Sequence, residues 1–133
     1  MQLEVPLDAL FSSQKTQLNF EGEQLLNKLA SSFRKFENPI NIEVFGDNLA
    51  TKKKNPWLLS ASQGASIVQF LALEDVDMPR MAVVAYGPFQ PIATNDDEEG
   101  RSLNRRVLFL IDRRTLKRER IKTVTKQHLS AKS

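Results

Sequence analysis

Leu3, Val5 and Leu7 alternate with polar positions or proline in LEVPLDALF, Leu3 to Phe11. This period-two pattern predicts a half-buried strand, with Pro6 near a sheet edge. SSQKTQLNFEG follows as a polar loop. Leu25, Leu26, Leu29, Phe33 and Phe36 then recur at helical spacing, predicting an amphipathic helix from about Glu21 to Phe36. Asn38-Pro39 stops it, because a residue before proline is pushed out of the helical region. Ile40, Ile42 and Val44 alternate with Asn41 and Glu43 as a second strand.

Asp47 to Asn55 is a polar loop containing Lys52, Lys53 and Lys54. Asn55-Pro56 then reads as a helix start, with Asn as N-cap and Pro at the first helical position. The stripe expected to face inward is Leu58, Ala61, Ala65, Val68 and Leu71. Asp77-Met78-Pro79 breaks the chain before a third strand, Met81 to Tyr86. A long loop opens at Gly87-Pro88 and runs through Asn95. The acidic run Asp96 to Glu99 suits the first turn of a short helix, where the helix dipole favours carboxylates. Val107 to Ile111 is continuously apolar, as a central strand would be. The order β-α-β-α-β-(short α)-β with a helical tail indicates an α/β sandwich (α+β), with helices on one face of the sheet.

A length of 133 residues fits one domain. No cysteine is present, which excludes a disulfide scaffold, a thiolate metal site and a Cys nucleophile. No stretch approaches the roughly 18 apolar residues of a membrane span. MQLEVPLDALF has no basic segment ahead of its apolar residues and does not read as a signal peptide. The net charge of +3 is unevenly spread. From Asp112 onward the chain carries Arg113, Arg114, Lys117, Arg118, Arg120, Lys122, Lys126 and Lys132 against Asp112 and Glu119, so the body is slightly acidic. A uniformly basic nucleic-acid surface is not expected, and residues 112–133 read as a basic helical tail with a solvated face.

Catalytic chemistry is poorly supplied. His128 stands alone in the basic tail, and the five glycines are scattered rather than gathered into a phosphate loop. A metal would have only the oxygen ligands Asp96, Asp97, Glu98 and Glu99, and neighbouring carboxylates at a helix start point in different directions. No cofactor, no metal and no enzymatic activity are expected.

Two segments are more specific: NPWLLSASQGASIVQFL, Asn55 to Leu71, and MAVVAYGPFQPIATNDDEEGRSLNRRVLFLI, Met81 to Ile111. The second resembles the C-terminal signature of the OmpA-like peptidoglycan-associating domain. In that signature a Gly-Tyr-Gly strand end leads through a Pro-x-Ala/Asn loop into Glu-Gly-Arg-x-x-Asn-Arg-Arg-Val. Here the pattern stands as Tyr86, Gly87, Pro91, Ala93, Asn95, Glu99, Gly100, Arg101, Asn104, Arg105, Arg106 and Val107. The start of NPWLLSA is most similar to the MotB and MotD flagellar stator branch. The resemblance implies an OmpA-like domain over residues 1–111, β-α-β-α-β-β with a mixed sheet, in a periplasmic, cell-wall-anchoring protein.

It also implies a non-catalytic module that grips the diaminopimelate stem peptide of peptidoglycan. In the family an Asp meets the amino end of the ligand, and an Arg on the following helix pairs with its carboxylate. The Asp maps onto Asp47; the Arg maps onto Gln63, which can hydrogen-bond a carboxylate but cannot neutralise it. Losing such a charge-assisted pair costs about 1.5–3 kcal/mol, roughly ten- to hundredfold in affinity. The family's His and Thr before the Asp are Phe45 and Gly46, and its Glu and Arg after Gly-Tyr-Gly are Pro88 and Gln90. Lys52, Lys53, Lys54, Arg105 or Arg106 could supply a substitute cation. The candidate ligand-binding residues are therefore Asp47, Gln63, Lys52, Lys53, Lys54, Asn104, Arg105 and Arg106.

Each has a plainer reading. The lysines suit a solvated loop, the arginines suit salt bridges to the acidic run or a structural role shared with the family, and Asp47 suits a turn cap. Phe45 is expected to pack in the core and Trp57 to pack under the loop. Two functions stay open. One is a homodimeric stator-type wall anchor, joined to a MotA-like subunit through an N-terminal membrane segment outside this chain, which would be an excised domain or a truncated paralogue. The other is a degenerate OmpA-like domain serving dimerisation or protein docking without peptidoglycan.

Overall fold

The computed structural model describes residues 1–49 and 55–113. The central lysines and the basic helix expected over 112–133 fall outside these residues, apart from 112 and 113. Among the described residues four strands and three α-helices follow in the order β1 (Gln2–Pro6), α1 (Phe20–Phe33), β2 (Ile40–Phe45), α2 (Leu58–Leu73), β3 (Met81–Gly87), α3 (Glu98–Asn104) and β4 (Arg106–Ile111). The sheet order is β1-β4-β2-β3. β4 pairs antiparallel with both β1 and β2, and β3 pairs parallel with β2, so the sheet is mixed. No helix among the described residues is long and apolar enough to cross a membrane.

Strand alternation builds the core. Ile40, Ile42 and Val44 lie opposite Ile111, Phe109 and Val107 across the β2–β4 ladder, and all six are buried. Leu26, Ala30 and Phe33 of α1 and Ile67 and Leu71 of α2 pack on this face. Phe33 meets Phe109 with ring centroids 5.8 Å apart. The alternate positions of β2 and β4 form the opposite face, where Phe45 stacks on Tyr86 at 4.7 Å and the Arg106 guanidinium lies 3.9 Å from the Phe45 ring centre. Phe45 is thus buried, but under this second face rather than in the helix-covered core.

Several boundaries differ from the pattern-based expectation. The first strand ends at Pro6, and Leu7–Ala9 form a 3₁₀ turn instead of continuing to Phe11. Leu7 is still buried, so the alternation survives while the backbone turns away. α1 begins one residue early because Asn19 accepts a hydrogen bond from the Gly22 N–H at 2.6 Å. It ends at Phe33 rather than Phe36. There the Arg80 guanidinium donates to the carbonyls of Phe33 (2.8 Å) and Asn38 (2.9 Å), serving the helix C-terminus from a distant turn.

α2 shows the largest shift. Asn55 does act as a cap, but of the turn before the helix, its Oδ1 accepting from the Trp57 N–H at 3.0 Å. The buried positions are Ser60, Gln63, Gly64, Ile67 and Leu71, whereas Leu58 is exposed. Apolar residues surround this helix, so their spacing did not identify its inner face. Close approach did: a Cβ on Gly64 would sit 2.4 Å from Val83 Cγ1 and 3.3 Å from Val44 Cγ2. α3 starts at Glu98, one residue after Asp97, whose Oδ1 accepts from the Gly100 N–H at 2.7 Å.

Candidate functional site

The parallel strands β2 and β3 end side by side, joined by a 2.9 Å hydrogen bond from the Gly46 N–H to the Gly87 carbonyl. Gly87 has φ +61°, and a Cβ there would meet the Pro56 carbonyl at 2.8 Å. The chain can therefore turn tightly here and bring the start of α2 against the strand ends. A cavity of about 390 Å³ opens at this end of the sheet. Its walls come from the 3₁₀ turn and following loop (Asp8, Phe11, Gln14), the β2 end (Gly46, Asp47), α2 (Ser60, Gln63), and Glu98 and Arg105. Crevices beyond the carboxyl ends of strands are common ligand sites in open sheets.

Asp47 is 8% exposed. Its Oδ1 accepts from the Leu49 N–H at 2.9 Å, which is the turn-capping role, and its Oδ2 accepts from Arg105 Nη1 at 2.8 Å. Arg105 also forms a fork with Asp8, Nε and Nη2 each donating at 3.0 Å, and Nη2 reaches Glu98 as well. The Asp8 fork is the largest cause of a guanidinium pKa raised above its ordinary value. Glu98 is held below the usual glutamate range by hydrogen bonds from Arg105 and Arg101. Three carboxylates thus surround one arginine. Four of its five N–H groups are in use, and the group binds as a planar fork.

Gln63 is 4% exposed. Its Nε2 donates to the Lys15 carbonyl at 3.1 Å. That bond orients the carboxamide, because only the NH₂ end can face a carbonyl. The Oε1 takes no hydrogen bond from the described residues.

The other candidates lie elsewhere. Arg105 and Arg106 are consecutive residues in extended backbone, so their side chains diverge to opposite sides. Arg105 enters the cavity, while Arg106 lies on the far face over Phe45, donates to the carbonyls of Asn104 and Gln90, and sits 3.9 Å from Glu4. Burial lowers its pKa. Asn104 is fully buried and clips the loop ahead of α3. Its Oδ1 accepts from the N–H groups of Ile92 (2.8 Å) and Ala93 (3.0 Å), and its Nδ2 donates to the Ala93 carbonyl (3.0 Å) and Asn95 Oδ1 (2.9 Å). Neither residue lines the cavity. Lys52, Lys53 and Lys54 lie outside the described residues.

Sequence reasoning paired the arginines with the acidic run and so anticipated Glu98, but missed Asp8. The available signal was the Leu-Asp-Ala turn after Pro6, hidden by the apparent continuation of the strand. Trp57 differs from expectation too: it is 50% exposed, its ring tilted against Phe89 at 5.1 Å. Among the described residues no group of three His, Cys, Asp or Glu side chains is placed to hold a metal.

The model of the OmpA family matches residues 10–105. The chain belongs to the OmpA family. Outer membrane protein A of Bordetella avium is 35% identical over 101 residues, covering 75% of this chain and 52% of that protein. A peptidoglycan-associated lipoprotein of Pseudomonas putida is 27% identical over 97 residues, 73% of this chain and 58% of that one. The chain therefore spans a little over half the length of these two relatives. Among solved structures, the periplasmic domain of Helicobacter pylori MotB superposes with a TM-score of 0.73 at 26% identity, covering 83% of this chain and 74% of that one. The OmpA-like, MotB-like resemblance of the sequence and its mixed-sheet fold are thus found in the structure.

Proposed function

We propose that this domain anchors a larger envelope protein to the cell wall by gripping the peptidoglycan stem peptide, without covalent chemistry, in the Asp47 cavity. The observation that carries the reading is a buried carboxylate, Asp47, fixed by Leu49 and Arg105 beside a cavity of about 390 Å³ on an OmpA-family frame. A fixed carboxylate at a strand end is a suitable partner for the ammonium of a diamino acid. Two of its lone-pair positions are occupied and others remain. The similarity to a MotB periplasmic domain and to a peptidoglycan-associated lipoprotein supports a periplasmic, stator-type role. That role includes homodimerisation and a MotA-like subunit reached through a membrane segment outside this chain.

Co-sedimentation with purified sacculi tests the reading. The wild-type chain is expected to pellet with sacculi, and Asp47→Asn, which keeps the Leu49 cap, to lose about ten- to hundredfold in affinity. Equal pelleting of the two proteins would refute the assignment of Asp47.

A second reading is favoured by one observation. Gln63 brings no charge, and Arg105 is already held by three carboxylates, so among the described lining residues no cation is free for a ligand carboxylate. A domain that has given up the wall and docks on protein would look the same. Absence of sacculus binding by the folded wild-type chain would select this reading.

A further inference from the structure

The charged groups in the described walls of the cavity are mostly anionic. Asp8, Asp47 and Glu98 contribute three carboxylates, and Arg105 is the one cation among the described lining residues. Its guanidinium already donates to all three. Gln63 adds no charge of its own. One N–H of its Nε2 is taken by the Lys15 carbonyl, which leaves a ligand the second N–H and Oε1, an acceptor without a partner among the described residues.

A cavity of net negative charge holds an ammonium well and a carboxylate poorly. A carboxylate brought against Gln63 could accept its remaining N–H but would face Oε1 lone pair to lone pair, with no free cation among the described walls to neutralise it. A carboxamide in the same place would donate an N–H to Oε1 and carry no charge. We infer that the cavity selects a diamino-acid side chain that keeps its ammonium but has its neighbouring carboxyl amidated. Gln63 is the residue that sets this preference, and the peptidoglycan ligand is one whose diaminopimelate carboxyl has been converted to the amide. This rests on the cavity being the stem-peptide site proposed above.

Two synthetic stem peptides separate the cases: one ending in diaminopimelate with its side-chain carboxyl free, the other with that carboxyl amidated. Both are titrated into the ¹⁵N-labelled chain and followed by amide shifts. One neutral hydrogen bond gained corresponds to about three- to tenfold in affinity, so the amidated peptide is expected to bind at least threefold tighter. A smaller preference, or a preference for the free acid, overturns the inference and leaves the stem-peptide site standing. No binding of either peptide overturns both. Gln63→Arg, checked for a folded spectrum, is expected to reverse the order and favour the free acid about tenfold by restoring a charge-assisted pair. An unchanged order in the folded variant would remove Gln63 as the determinant.

Discussion

Asn104 separates a ligand residue from a structural one. Sequence reasoning placed it among the candidate binding residues, and the structure places it at 0% exposure with four hydrogen bonds to residues 92–95. Replacing it with Ala removes all four at once. At about 1 kcal/mol net for each bond, the loss is about 4 kcal/mol. Water entering the vacated space would return part of this by bonding the freed Ile92 and Ala93 N–H groups, so about 3–4 kcal/mol is expected. In a domain of this size, that is a fall in melting temperature of about 12–25 °C. Asn104→Asp sharpens the test. It keeps the acceptor for Ile92 and Ala93, but turns an oxygen toward the Ala93 carbonyl and Asn95 Oδ1, so the loss is expected to be about half or more of that of Ala. Urea unfolding of the three proteins measures this directly. A loss below about 1 kcal/mol for Asn104→Ala, together with weakened stem-peptide binding, would refute the clip and return Asn104 to the ligand.

Other outcomes follow from single contacts. Gly64→Ala forces a Cβ to 2.4 Å from Val83 Cγ1. The strain of about 1–3 kcal/mol is set against about 1 kcal/mol of helix propensity, so a net destabilisation of up to about 2 kcal/mol is expected, and a stabilised variant would contradict the close packing of α2. Arg80→Met removes the hydrogen bonds to the last α1 carbonyl, Phe33, and to the Asn38 carbonyl beyond it, and a loss of about 2–3 kcal/mol with faster amide exchange around residues 34–38 is expected; unchanged exchange would contradict the capping role. Glu98 has its folded pKa depressed below the usual glutamate value of about 4.3, so its contribution is present above that pH and is lost as pH falls through the depressed value. Glu98→Gln should therefore flatten part of the acid limb of melting temperature against pH, and identical acid limbs would contradict the link to Arg105 and Arg101.

How far the chain could be read depended on which forces leave a pattern. Strand β2 was visible because burial on one face imposes period two, and β4 because Val107 to Ile111 is apolar throughout; the stop assigned to Asn38-Pro39 came too late, since α1 already ends at Phe33. The inner face of α2 was hidden, since Leu58, Leu59, Ile67, Val68, Phe70 and Leu71 spread around the helix and the deciding contact is a missing side chain at Gly64. Asp47 and Gln63 could be placed by resemblance, and they do line one cavity. What could not be read was the choice between Arg105 and Arg106. It depends on which way two consecutive residues point at a strand end. Nor could the link from Asp8 to Arg105, 97 positions apart, be read from any local pattern.

The central claim is that the Asp47 cavity holds a peptidoglycan stem peptide. It is tested most directly by titrating the ¹⁵N-labelled chain with a diaminopimelate-containing stem peptide. The account predicts shifts clustered at Gly46 to Leu49, Ser60 to Gly64, Gly87 and Arg105. A folded spectrum unmoved at millimolar peptide, or one moved only around Trp57 and Phe89, would contradict it.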